Sequence, residues 1–278
     1  MRLRLYHHPD GARVAYRETG TGPRLALLHS GGLSHREWEP LCEHLCDRFR
    51  VVLPDLPLHG DSEDRPRYPY SPEWLAEVIA GFCGETLGPR PLLAGHGLGA
   101  ALLLDAVATG RLHPERLVLM PSSLHRAPRR PGVRAGARVA RLAALPGLDR
   151  VLSHASRAVV RPGAADALTA RGNPAARDLV RHAMADVPGN GNRARSWARL
   201  ARRWPVGARR ELLDAYPLLS MPVLFLWADE DRWHPLTWAE EALELLPDAQ
   251  LRVLPGTGYL MAYDDPVGLA RELIAFCG

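Results

Sequence analysis

The chain has 278 residues, which suits one large domain or two small ones. Apolar residues make up 46% of it, so a sizeable core can form, and neither long disorder nor collagen-like repeats can be the main architecture. The formal charge is +4, and all 35 basic residues are arginine. The richest apolar stretch, Met221 to Ala228, is far short of the roughly 20 residues that span a bilayer. The start, Met1-Arg2-Leu3-Arg4, lacks an apolar signal core, so the expectation is a cytoplasmic protein that does not use a membrane. Cys42, Cys46, Cys83 and Cys277 show no metal-ligand spacing and read as buried thiols.

Residues 2–7 and 12–18 alternate apolar and polar across Pro9-Asp10-Gly11, the pattern of a β-hairpin. Short apolar runs follow at Leu25–Leu28, Val51–Leu53, Pro91–Ala94, Leu117–Met120, Val223–Trp227 and Leu251–Leu254. Runs apolar on both faces predict parallel strands covered by helices. Helical patterns lie between and after them, at about 36–48, 72–86, 98–110, 237–246 and 266–276. The alternation predicts an α/β fold with a mostly parallel, doubly wound sheet. Residues 122–215 break the rhythm, with helical patterns interrupted at Pro146, Pro162, Pro174 and Pro188-Gly-Asn-Gly-Asn192. They read as a helical cap on a core of 1–121 and 216–278, placed over the C-terminal edge of the sheet, where ligands bind in such folds. The last of these breaks reads as a loop that gates the pocket. Residues 121–215 hold 19 arginines against 6 acids, and the rest holds 16 against 25, so a basic segment joins an acidic body.

Gly95-His96-Gly97-Leu98-Gly99 lies at a strand-to-helix junction. It resembles the nucleophile elbow Gly-x-Ser-x-Gly of the α/β-hydrolase superfamily, with Gly97 at the nucleophile position. Four more segments carry the resemblance. Leu28-His29-Ser30-Gly31-Gly32 is similar to the oxyanion loop. Val52–Ser62 is similar to the Asp-x-x-Gly-x-Gly-x-Ser segment. Leu226–Asp231 matches the strand end that bears the triad acid, at Asp231, and Gly256-Thr-Gly-Tyr259 matches the loop that bears the triad base, at Tyr259. The resemblance implies an α/β-hydrolase fold with a helical cap and a degenerate triad, in which glycine replaces serine and tyrosine replaces histidine. Either change alone disables a triad, so the pair points to natural divergence.

A glycine backbone supplies no covalent nucleophile, and a tyrosine, with its ordinary pKa near 10, is a poor base at neutral pH. The backbone amides of an oxyanion hole survive such changes. Leu98 offers one at a helix start, and Ser30, Gly31 or Gly32 a second. Such donors stabilise an enolate as well as a tetrahedral oxyanion. The combination suits a non-hydrolytic enzyme of the epimerase, isomerase, lyase or cyclase type. It would act on a carbonyl-containing small molecule or peptide, without a cofactor. The resemblance adds that triad-degenerate members take roles such as tailoring in bacterial natural-product biosynthesis.

Asp231 is the first candidate base, His96 the second and a carboxylate on the substrate the third; a structural role as hydrogen-bond acceptor is the equal alternative for Asp231. Tyr259, Leu98, Gly31 and Gly32 complete the catalytic set. Gly97, whose missing side chain leaves room for substrate, joins His96, Ser30, Trp38, Trp233 and His234 as candidate lining. The cap arginines either face solvent or receive an anionic or carrier-bound substrate. No nucleic-acid motif is present. Two rival readings are a catalytically dead ligand-binding or carrier-docking protein, and a hydrolase whose nucleophile has moved to Ser30, Ser122 or Ser123 with His125 or His234.

Overall fold

A computed structural model describes residues 1–129, 166–185 and 191–278. The strands are β1 (Arg2–His7), β2 (Arg13–Thr19), β3 (Arg24–Leu28), β4 (Arg50–Pro54), β5 (Leu92–Gly95), β6 (Arg116–Leu119), β7 (Val223–Ala228) and β8 (Ala249–Leu254). They form one sheet in the order β1-β2-β4-β3-β5-β6-β7-β8. β1, β2 and β4 pair antiparallel, and the remaining pairs are parallel. The helices are α1 (Glu39–Leu45), α2 (Pro72–Leu87), α3 (Leu98–Ala108), α4 (Pro174–Ala185), α5 (Gly191–Arg203), α6 (Glu211–Ala215), α7 (Leu236–Leu243), α8 (Met261–Asp264) and α9 (Pro266–Cys277). Ser71 caps α2 and Asp265 caps α9 through their side chains, each with proline at the first helical position.

The central strands divide their side chains between two cores. Val223, Phe225 and Trp227 join α2, α3 and α7 on one face. Leu224, Leu226 and Ala228 join α1 and α9 on the other. This period of two within a wholly apolar run is what burial on both faces requires. β8 departs from the expectation. It is the sheet's last strand, its residues are mostly half-exposed, and Arg252 reaches out to Glu272 of α9 at 2.6 Å. A strand at the edge has only one neighbour and need not be apolar on both sides.

Between β6 and β7 the described residues form no strand; α4, α5 and α6 lie there. α5 is held to the body by Arg193 donating to Gly60 O (3.0 Å), Ser196 to Asp64 O (2.7 Å) and Arg199 to Tyr68 O (3.1 Å). Arginines of this segment pair with acids of the body: Arg193 with Asp64, Arg126 with Glu241, and Arg209 with Asp105. The uneven charge along the chain therefore becomes contact between its two parts. Pro146, Pro162 and most of the loop reading at 188–192 lie outside the described residues; Gly191 and Asn192 begin α5. Among the described residues no helix is long and apolar enough to cross a membrane.

The turn from β5 into α3 leaves no space at Gly95, where a Cβ would stand 2.7 Å from the Ala100 amide nitrogen. Gly95→Ala is expected to lower stability by about 1–3 kcal/mol, measured as a shift in the urea midpoint, because backbone must move to admit one methyl group.

Candidate active site

Four loops at the C-terminal edge of the sheet build the site: 29–34 after β3, 95–98 after β5, 229–235 after β7 and 255–260 after β8. The elbow is tight. Gly97 has φ 52° and ψ −110°, a conformation that strains any residue with a side chain. Its amide donates to Pro121 O (3.1 Å), and the Gly99 amide to His29 O (3.1 Å) and His96 O (2.8 Å). A Cβ at Gly99 would overlap the Leu28 carbonyl. Leu98 is the first residue of α3, so its N–H has no carbonyl within the helix.

The space above Gly97 is filled. A Cβ built there would overlap the Tyr259 hydroxyl and stand 2.8 Å from Ser30 Cβ. The absence of a side chain at Gly97 thus leaves less room than the sequence suggested, because a tyrosine from the loop after β8 takes part of it. Tyr259 is buried, with two imidazoles against its ring. His96 lies 4.0 Å away between centroids, and His234 stacks at 5.2 Å and 25°.

Each of those imidazoles is held by a buried carboxylate. Asp231 Oδ2 accepts from His234 Nδ1 (2.7 Å), and Asp231 Oδ1 from the Trp233 amide (2.8 Å). The Asp231 side chain is fully shielded from solvent, which suits an orienting group better than a base in contact with substrate. Glu37 Oε1 meets His96 Nδ1, and Glu37 Oε2 accepts the Ser30 amide (2.7 Å). Burial pushes the Glu37 carboxyl up. The His96 imidazole and the Ser30 amide outweigh that and hold it below the ordinary carboxylate range. The Ser30 amide is therefore committed to Glu37, which leaves Gly31 and Gly32 as the candidate donors of this loop.

Leu98 and Gly31 line a cavity of about 380 Å³. Its polar lining includes Tyr259, His234, Ser122, Ser123 and Arg209 beside Gly97, and Ala101, Leu124, Trp197, Leu200 and Trp204 form most of the apolar remainder. Several expected lining residues lie off this wall. Ser30 is buried under the elbow, and Gly32 lies outside the lining set. His96 sits beneath Gly97 against Trp38, and Trp38 itself belongs to the core on the α1 side. Trp233 packs with Tyr259, Leu33 and Leu179, in the seam between α4 and the sheet. His125 is engaged by Glu241 (3.0 Å). Among the described residues one trio, His35, Asp55 and Asp61, has ligand atoms close enough to hold a metal ion. Arg17 already supplies the cation there, pairing with Asp61 at 2.5 Å and Asp55 at 3.6 Å.

Sequence reasoning missed two participants. Glu37 sits in the polar run Ser34-His-Arg-Glu and reads as a surface residue, because its partner, His96, lies 59 positions away. Trp197 was hidden in an arginine-rich helix, although Trp197, Leu200 and Trp204 follow the spacing of an apolar helix face.

The profile of the alpha/beta hydrolase family matches residues 25–272. An uncharacterized protein of Mycobacterium tuberculosis is 28% identical over 272 residues, covering 92% of this chain and 75% of that one. The magnesium-chelatase 30 kDa subunit of Rhodobacter capsulatus is 27% identical, over 86% of this chain and 81% of its own. A shorter stretch of 104 residues, 37% of this chain, is 38% identical to the pimeloyl-[acyl-carrier protein] methyl ester esterase of Aeromonas hydrophila, covering 38% of that protein. Among solved structures, an alpha/beta hydrolase fold protein from Burkholderia ambifaria superposes with a TM-score of 0.81 at 22% identity, covering 98% of this chain and 97% of its own.

Two outcomes follow from this geometry. Gly97→Ser alone should cost about 1–3 kcal/mol, and adding Tyr259→His should recover part of it, read as a coupling in a double-mutant cycle of urea midpoints. Glu37→Leu should cost about 3–5 kcal/mol, since it leaves a buried imidazole and an amide without their partner. The Glu37 carboxyl is lowered in the fold, so its stabilisation is present above about pH 4.5 and is lost as pH falls through the folded value. The acid limb of stability against pH should be flatter in Glu37→Leu.

Proposed function

Because the chain belongs to the alpha/beta hydrolase family, we propose that it is a non-hydrolytic member, acting by proton transfer next to a carbonyl. One observation carries this reading: the Tyr259 hydroxyl fills the position of the nucleophile, while amide donors and a carboxylate-held histidine share the cavity wall.

In this mechanism the Leu98 and Gly31 amides receive the substrate carbonyl oxygen and stabilise the enolate that forms. His234 removes the proton α to the carbonyl. Asp231 holds His234 through Nδ1 and offsets the positive charge the imidazole gains. The base is therefore His234 rather than Asp231, whose carboxylate is buried and carries two hydrogen bonds. Tyr259 donates a hydrogen bond to the same oxygen, and the His234 imidazolium gives its proton back to the enolate at carbon, which restores both side chains. Epimerisation, isomerisation, elimination and ring closure all pass through such an enolate. The substrate is a small molecule or a peptide, held without a cofactor, in a cytoplasmic protein that takes no nucleic acid.

A hydrolase with a displaced serine has less support. The Ser30 and Ser122 hydroxyls are both shielded from solvent, and among the described residues neither has a hydrogen-bond partner that would activate it. The esterase activity in the name of the Aeromonas relative belongs to a protein matched over about a third of this chain.

The test is deuterium incorporation from D₂O α to the carbonyl of simple aryl ketones, followed by proton NMR. Exchange above the buffer rate is expected, with a loss of about 10²–10⁴-fold in His234→Gln. Leu98→Pro should lower the rate by about 10²–10³-fold if the variant is folded. Hydrolysis of aryl esters by the native protein, with no exchange, would defeat the proposal. Saturable ketone binding with neither reaction would make the protein a ligand-binding one.

A further inference from the structure

A second cavity of about 180 Å³ lies on the other side of one residue. Trp197 lines both it and the apolar cavity of the active site. The two differ in chemistry. Around Trp197 the first is walled mostly by aliphatic side chains and Trp204; Arg209, the arginine on its wall among the described residues, is held by Asp105 and by Glu211 (3.0 Å). The second carries Arg17, Arg36 and Arg193, with His35, His59 and His182. Asp61 and Asp64 pair with Arg17 and Arg193, and among the described residues Arg36 makes no ion pair with a carboxylate.

Trp197 is not free to swing. Arg193, Ser196 and Arg199 anchor its helix to three carbonyls of residues 60–68, one on each side of Trp197 and one beside it. His59 meets its ring edge-on at 4.8 Å. Ser196, the residue next to it, is completely buried. The indole is thus a fixed wall between a mostly apolar compartment and a polar one that holds Arg36.

We propose that Trp197 is the specificity-determining residue of the site. It confines the substrate to a compact, uncharged carbonyl compound with an aromatic or aliphatic body, and shuts out extended molecules that end in a carboxylate. This rests on the carbonyl reading given above. A charged end cannot be left in the first compartment without its hydration, since Arg209 there is taken by two carboxylates, and with Trp197 in place it has no path to Arg36 beyond. Removing the indole joins the two compartments and gives the charged end a partner.

The experiment is calorimetric titration with hexanophenone and with its ω-carboxylate analogue, which has the same chain ending in a carboxylate. The wild-type protein is expected to bind the neutral ketone about tenfold or more tightly than the carboxylate. Trp197→Ala should shift that ratio toward the carboxylate by about tenfold or more, and adding Arg36→Gln should reverse part of the shift. Trp197→Phe, which keeps an aromatic ring on the helix and disturbs its packing less, should shift the ratio in the same direction by a smaller factor. Wild-type protein that binds both equally, or that binds only the carboxylate, overturns the proposal. So does wild-type protein that binds neither, or a folded Trp197→Ala or Trp197→Phe with an unchanged ratio. Failure of the underlying reading looks different. Ketone binding with the expected ratios but no deuterium exchange removes proton transfer and leaves the partition standing.

Discussion

The site depends on one steric constraint, the turn that carries the chain from β5 into α3. Gly95 and Gly99 stand against backbone on either side, so the turn has a single outward position, at residue 97, and that position is left-handed. A side chain there is strained and a glycine is not. Glycine at the tip relaxes the backbone, and Tyr259 of the loop after β8 fills the space that a side chain at Gly97 would take.

Around that ring the electrostatics are symmetrical. Asp231 holds His234 on one side and Glu37 holds His96 on the other, and both imidazoles lie against Tyr259. Buried carboxylates are tolerated only when charge-assisted hydrogen bonds replace their water, and each of these accepts a backbone amide as well as an imidazole. Their difference lies in access. His234 reaches the cavity wall, whereas His96 is sealed beneath the elbow. One pair therefore faces the cavity. The other ties the loop after β3 to the elbow, with Glu37 holding both the Ser30 amide and His96.

The strand pattern, the helices and the elbow were legible in the sequence because each depends on near neighbours along the chain. A run such as Val223–Ala228 declares burial on both faces by composition, and Gly95-x-Gly-x-Gly99 declares a turn too tight for side chains. β8 was misread for a related reason: its apolar residues could not say that the sheet ends there. Asp231 lies in the loop just past β7, and its hydrogen bonds to the Trp233 amide and the His234 imidazole depend on how that loop folds back on itself.

By itself the sequence determined the α/β architecture, the glycine at the elbow and the tyrosine on the loop after β8, since local periodicity and turn sterics are written in consecutive residues. Only the tertiary structure decided what these residues do together. Tyr259 meets Gly97 across 162 positions of chain, Glu37 meets His96 across 59, and Trp197 stands between two cavities drawn from loops far apart in sequence. Contacts of that kind are set by how strands order themselves in a sheet and which loops crowd its edge. They follow from packing the whole chain at once, and no single segment encodes them.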